Sequence, residues 1–335
     1  MKRYLIAASA AICLVVAAMA LAQEPGRGHM MGTMMGRPLP ASIPSDSNPI
    51  TPAKIDLGRM LFHDPRLSRN NDVSCNSCHD LDSYGVDGKA VSTGHLNQQG
   101  SRNAPTVYHA AGHIAQFWDG RALDVEEQAK GPVLNPVEMA MASGREVEER
   151  LQRIPGYVAA FGRAFPGETT PVTFDNMARA IGAFERKLVT PSRWDRFLEG
   201  DRNAITAEEM QGRHEFMHNG CIACHSGTFV GGALFHRLGA EKPWPVTTDL
   251  GRIEVTKTLT DRMVFKVPSL RNVEKTAPYF HNGNVATLDE AVHLMGEYQL
   301  GEDLTASQVK AIVAWLRTLT GEIPRGYVRR PTLPE

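Results

Sequence analysis

Two pentapeptides of one form, Cys75-Asn-Ser-Cys78-His79 and Cys221-Ile-Ala-Cys224-His225, constrain this 335-residue chain more than anything else in it. Within C-x-x-C-H the cysteines are three positions apart and the histidine follows at once, so on a helical turn all three share a face. Such a face can offer two thiols to the vinyl groups of one porphyrin and an imidazole to its iron, and the pattern reads as a c-type haem attachment site. A redox dithiol, or half of a zinc site, competes for a single copy. Two copies, each ending in histidine and together using every cysteine beyond Cys13, favour two haems. The length suits about two domains. One motif falls near the first quarter and the other near two thirds, which suggests one haem per domain.

The N-terminus points to export. Met1-Lys2-Arg3 is basic, Leu5 to Leu21 is apolar and Ala-rich, and Ala20-Leu21-Ala22 is a small-x-small cleavage site. Residues 1–22 therefore read as a signal peptide and the mature chain as periplasmic. Cys13 lies within that leader, preceded by Ile12, which disfavours lipidation. Formal charge is −1, from 36 basic and 37 acidic residues, so nothing points to nucleic acid or a membrane surface as partner.

Residues 23–50 are rich in Pro, Gly, Ser and Met without apolar periodicity and read as a flexible arm. Its methionines beside His29 would suit copper(I), although the composition favours an unstructured lead-in. Structure is expected to begin at Thr51-Pro52, a cap followed by proline at the first helical position, and that helix is expected to stop near Asp64-Pro65. Leu81 to Arg102 is polar and Gly-rich, a loop. Glu146 to Leu151 reads as a short helix, and Thr173 to Leu188 as a stronger one with Phe174, Met177, Ile181 and Phe184 on one face. A polar connection over 189–204 divides the chain into domains 51–188 and 189–328. Thr206-Ala-Glu-Glu209 is a capping box ahead of the second haem site. Residues 226–279 look irregular. Leu288, Val292 and Met295 mark a helix ending near Gly296, and Thr305 caps the last helix, with Ile312, Trp315, Leu316 and Leu319 inward. The fold expected is mainly α, two cytochrome c-type domains each carrying one covalent haem c, with no convincing alternating strand.

Longer stretches carry a resemblance. Leu61-Phe-His-Asp-Pro-Arg-Leu-Ser68, Asn103-Ala-Pro-Thr-Val107, Gln116-Phe-Trp-Asp-Gly-Arg-Ala122, Pro136-Val-Glu-Met139, Pro278-Tyr-Phe-His-Asn-Gly283 and Met295-Gly-Glu-Tyr-Gln-Leu-Gly301, together with the first haem motif, resemble the bacterial di-haem cytochrome c peroxidases. The match runs in order from about residue 51 to 321. It implies His79 and His225 as proximal iron ligands, Met295 as the second haem's soft distal ligand, and His95 as a removable ligand of the first. It implies Gln116 and Glu126 over the first iron, with Glu126 shuttling a proton if apolar surroundings raise its pKa. Asn103, Thr276 and Pro278 are implied as calcium ligands through oxygen. His281 would play a structural or propionate-contact role and Trp118 would pack near the first haem.

The function implied is reduction of hydrogen peroxide to water. Electrons would come from a small donor, a monohaem cytochrome c or a copper protein, and enter at the Met-ligated haem of a homodimer. Two alternatives stand beside it. One is a di-haem oxidase acting on tryptophans of a partner, which carries tyrosine where this chain has Met295, with Tyr298 three positions away. The other is a non-catalytic electron carrier with both irons permanently six-coordinate.

Overall fold

Thr51 opens the first helix as the cap spacing predicts: its Oγ1 accepts the Lys54 N–H at 3.2 Å, Pro52 takes the first position, and α1 runs Pro52–His63. The computed structural model describes residues 36–335. The leader, and the Met-rich stretch as far as residue 35, lie outside the described residues. Among those described, no helix is long and apolar enough to cross a membrane.

In the first half α1 is followed by α2 (Val125–Leu134), α3 (Gly144–Gln152), α4 (Pro155–Ala164) and α5 (Phe174–Glu185). Their inward faces share one core, in which Leu57, Leu61, Tyr157, Phe161, Met177 and Phe184 are sealed from solvent. Burying each such side chain contributes about 1.5–3 kcal/mol. The second half holds α6 (Arg193–Leu198), α7 (Ala207–His218), α8 (Leu288–Leu294) and α9 (Ala306–Arg317) around Trp194, Phe216, Ile312, Trp315 and Leu319. The capping box read at Thr206/Glu209 forms, and the Thr305 cap is completed as a second one by Gln308.

The halves use the same device. The helix leading toward each attachment motif crosses a later helix at a glycine, backbone against backbone. A Cβ on Gly58 would lie 1.9 Å from the carbonyl oxygen of Ala180 on α5, and a Cβ on Gly212 would lie 1.8 Å from that of Ala311 on α9. No side chain larger than hydrogen fits either crossing.

Four features depart from the sequence reading. Residues 36–50 are no loose arm. Leu39 N–H donates to Asp195 at 2.8 Å, Ile43 N–H donates to the Arg186 carbonyl at 2.8 Å, and buried Asn48 bonds Glu126 and Lys54. Polar anchoring of this kind leaves no apolar period to read. The 189–204 connection contains α6, whose Trp194 meets Trp315 edge-on in the second core, ring centroids 5.8 Å apart. The irregular 226–279 stretch holds an antiparallel pair, β1 (Phe235–Arg237) and β2 (Val264–Lys266), too short to show alternation. Finally, the end of the chain returns to the first half: Val328 is buried in that core, and Tyr327 Oη donates to the Phe184 carbonyl at 2.7 Å.

Replacing Gly212 by valine should therefore lower stability to unfolding by at least the 1–3 kcal/mol that overpacking usually costs, ~3 kcal/mol being expected. Chemical denaturation of the haem-loaded protein measures it. An unchanged midpoint would contradict the backbone contact.

Candidate functional site

Ser74 and Ser77 form a capping box that winds Cys75–Cys78 into a single turn, and the His79 N–H closes it onto the Cys75 carbonyl at 2.9 Å. Both thiols and the imidazole thereby face the same way, as the motif requires. Cys78 and His79 line a cavity of about 760 Å³, and Cys75 lines its inner extension with Cys78, His79 and Phe62. His79 Nδ1 lies 3.3 Å from the Gly85 carbonyl, which orients the ring and leaves Nε2 for a metal. Burial lowers the pKa of this imidazole and keeps it neutral, the form that ligates.

Two thiols on the cavity wall above a single imidazole fit a porphyrin. Burial pushes Cys75 up to about 12 and raises Cys78 as well, which opposes the thiolates that a zinc site or redox dithiol would use. Among the described residues, no group of three or more His, Cys, Asp or Glu side chains is arranged to hold a metal.

Of the polar groups named from sequence, Gln116 reaches the cavity, but its Nε2 is committed to the Ala110 carbonyl at 2.8 Å. Glu126 is not part of the wall. Its carboxylate is gripped by Arg186, with Nε on Oε1 at 2.9 Å and Nη2 on Oε2 at 2.8 Å, and it accepts from Asn48 Nδ2 at 2.8 Å. Burial alone would raise its pKa, but the Arg186 and Asn48 hydrogen bonds hold it below the ordinary glutamate value. The condition set for Glu126, apolar surroundings and a raised pKa, is not met.

Two other carboxyls meet that condition. Glu138 and Glu185 both line the cavity, with the Gln128 amide beside them. Burial raises Glu138, against the opposing charge of Arg121 and a hydrogen bond from Asn135 Nδ2 at 2.7 Å. Burial pushes Glu185 up to about 8, helped by the Glu126 charge and opposed by Arg186. Glu138 stands in Pro136-Val-Glu-Met139, a stretch visible in the sequence but given no chemistry there. Gln128 is one α-turn before Pro132 on α2, and both line the cavity. That helix escaped notice because its apolar pattern is weak and includes Gly131-Pro132.

His95 is buried near this wall without forming part of it. Its N–H donates to the Glu138 carbonyl at 2.8 Å, and its Nδ1 lies 3.8 Å from Asp72. The loop is pressed onto the Glu138 turn: a Cβ on Gly94 would sit 2.1 Å from the Val137 carbonyl oxygen. Leu96 and Asn97 then turn through left-handed conformations, φ 54° and 61°.

At the second site Gly220, φ +88°, opens the turn Cys221–Ala223, and the His225 N–H closes on the Cys221 carbonyl at 3.0 Å. Burial lowers His225 to about 4, only partly offset by the Pro268 and Val230 carbonyls. The free thiols of Cys221 and Cys224 are half-buried, and burial raises both. The helix marked by Leu288 does not end at Gly296. It passes from α8 into a wide π-type turn, Met295–Leu300, that stops at Gly301 with φ +70°. Such turns gather at functional sites. Met295 lies in an apolar cluster with Trp244, Phe280 and Tyr298, and Leu300 packs toward Gly220 beside the attachment turn. Tyr298 is engaged edge-on with Trp244, centroids 5.1 Å apart.

Between the sites the Asn103 N–H donates to the His281 carbonyl at 2.8 Å, which places the Asn103 side chain beside the segment holding Thr276 and Pro278. Asn103 Nδ2 donates to the Lys89 carbonyl, which leaves Oδ1 as an acceptor. Trp118 lines the first cavity, donates from Nε1 to the Asn103 carbonyl at 2.9 Å and packs edge-on against His281.

Comparison with known proteins agrees with this arrangement. Residues 52–203 match the family model described as di-haem cytochrome c peroxidase. The chain is 46% identical over 312 residues to the cytochrome c551 peroxidase of Pseudomonas aeruginosa, across 91% of this chain and 89% of that protein. It is 45% identical over 306 residues to the cytochrome c551 peroxidase of Nitrosomonas europaea, across 88% and 90%. A crystal structure of a MauG-like protein associated with microbial copper homeostasis shares the fold at a TM-score of 0.80 and 29% identity, covering 89% of this chain and 98% of that one. On sequence and fold together, the chain belongs to the di-haem cytochrome c peroxidase family.

Proposed function

We propose that the protein reduces hydrogen peroxide to two waters, consuming two protons and two electrons from a small redox donor, a monohaem cytochrome c or a copper protein. The observation that supports this reading is the cavity wall, where two carboxyls of raised pKa, Glu138 half-buried and Glu185 buried, line the same cavity as His79 and the Gln128 amide. Export by the leader would place the reaction in the periplasm.

Cys75, Cys78 and His79 would hold one haem c, and Cys221, Cys224, His225 and Met295 the other. When bound, the haems supply the redox-active iron that delivers electrons to the O–O bond. The thioether of Met295 is a soft donor that would favour the reduced metal, and so would make the haem it helps to hold the better electron store. Asn103, Thr276 and Pro278 would give calcium hard oxygen ligands at the junction.

The proton work falls to Glu138 rather than Glu126. Cleavage needs one group that takes the proton from the inner peroxide oxygen and gives it to the departing one. A carboxyl raised by burial releases and recovers a proton more evenly than one locked in an ion pair. Gln128 cannot titrate but can orient peroxide through its amide. Glu185, protonated near neutral pH, holds a further proton in the same wall. His95 hangs by its backbone on the Glu138 carbonyl, and as a removable ligand it would approach or leave the cavity with its loop. The tryptophan-oxidase alternative gains nothing here, because Tyr298 is occupied with Trp244 and Met295 heads the turn.

Peroxide consumption by the haem-loaded, donor-reduced protein tests the reading. No consumption in any reduction state would end it. Glu138→Gln should lower kcat by about 10²–10⁴-fold while haem content and melting temperature stay put. Glu126→Gln should do the reverse. It leaves Arg186 buried without its counter-charge and costs about 3–5 kcal/mol of stability, with turnover of the folded fraction largely kept. The Glu126 carboxylate has a depressed pKa in the fold, so its contribution is present above the unfolded value near ~4.3 and fades as pH falls through the lower folded value. The stability gap between wild type and Glu126→Gln should therefore be full at neutral pH and shrink below about pH 4. A gap that widens on acidification would contradict the assignment.

A further inference from the structure

Lys266 is 92% shielded from solvent, yet among the described residues its ammonium pairs with no carboxylate. Its polar neighbour is His113, whose Nδ1 lies 3.4 Å from Nζ. Burial holds this imidazole neutral, with the Lys266 and His109 charges acting in the same direction. If Nδ1 accepts from the lysine, the proton of the neutral ring is on Nε2, and Nε2 is buried with no acceptor. A buried cation and a buried N–H donor thus stand together with nothing to receive them. An unpaired buried ammonium is costly enough that proteins supply such a group with an anion.

The position of the pair says which anion. Lys266 ends β2, its N–H donates to the Trp118 carbonyl, and the next residue, Val267, receives the Gly232 N–H at 2.8 Å. The Pro268 carbonyl then stands beside the His225 imidazole. His113 packs its ring edge on Gly232, where a Cβ would lie 2.4 Å from Cδ2 and 3.0 Å from Nε2. Lys266 therefore belongs to the stretch that follows the second attachment motif, and His113 packs against it. Neither Lys266 nor His113 lines the first cavity, although Gln116 and Trp118 do. Haem c carries two propionate carboxylates on the edge away from its thioether links, and the haem nearest this stretch is the one that His225 would hold.

We propose that Lys266, flanked by His113, ion-pairs with a propionate of the haem held by Cys221, Cys224 and His225, and so raises that haem's reduction potential. The proposal rests on the two-haem reading above. A fixed positive charge beside the porphyrin stabilises the reduced iron, which carries one positive charge fewer than the oxidised iron, and a buried charge is screened little by solvent. Lys266 would then add to Met295 in making this centre the better electron store.

The test uses the haem-loaded protein, with both midpoint potentials followed by optical redox titration and haem counted independently. Lys266→Met should shift the second haem to lower potential, leave the first where it was, and keep two haems per chain. Lys266→Arg should restore most of the shift. The proposal is overturned if Lys266→Met retains two haems with the second midpoint unmoved, or if both midpoints move together. A count below two haems in the unmutated protein would instead remove the underlying reading. Should the Met variant fail to accumulate, a crystal structure of the unmutated haem-loaded protein decides. Nζ on a propionate oxygen supports the pairing, and a water or a protein group in that place overturns it.

Discussion

Each half of this molecule stands on one contact, a helix crossing in which backbone touches backbone. At Gly58 against Ala180, and at Gly212 against Ala311, two helices come closer than any Cβ would allow. That closeness fixes the helices that precede the attachment motifs relative to those that close each half. A four-residue turn such as Cys75–Cys78 has too few hydrogen bonds to be stable alone. It can hold two thiols and an imidazole on one face only because the crossing behind it is rigid. Beside the first motif lies a cavity of about 760 Å³, closed on its far side by Thr248, Asp249, Glu254 and Val255 of the second half.

The two halves meet at Arg102, and the 36–50 strap is tied to the second half through polar groups that are well satisfied. Asp195 accepts from Ser192, from the Leu39 N–H and from the buried guanidinium of Arg271, which also donates to the Thr228 carbonyl near the second motif. A buried ion pair is worth keeping only when its remaining hydrogen-bonding capacity is met, and here the 36–50 strap helps to meet it. Arg102 joins Asp119 to Asp249 across the same junction. Trp118 lies between these contacts with one edge on the first cavity and its carbonyl on Lys266.

Three glutamates close together show how environment divides labour among identical side chains. Glu126 meets a guanidinium and stays ionised. Glu185, one residue from that arginine in sequence, faces the cavity and is pushed to about 8. Glu138, across the cavity, is raised as well. The difference arises from the direction each side chain takes off its backbone, since Glu126 and Glu138 are equally unremarkable in composition. Carboxyls driven apart in pKa are a usual sign of acid–base work, and here the raised ones line the cavity beside His79.

The two C-x-x-C-H motifs, the capping boxes and the helix stripes were legible from the chain because they are local. Each depends on spacings of three or four residues that a helical turn imposes by itself. Family resemblance implied Met295 and His95 as distal ligands without saying where their side chains would lie. Tertiary structure alone decided that Glu126 faces Arg186 while Glu138 and Glu185 face the cavity, because that choice is made by partners about 60 residues distant in the chain or by the far wall of the pocket. It also decided that the 36–50 strap is held, and that Lys266 is buried without a counter-charge among the described residues. Charge pairing and burial depend on what the folded chain brings near, and no periodicity in the sequence records that.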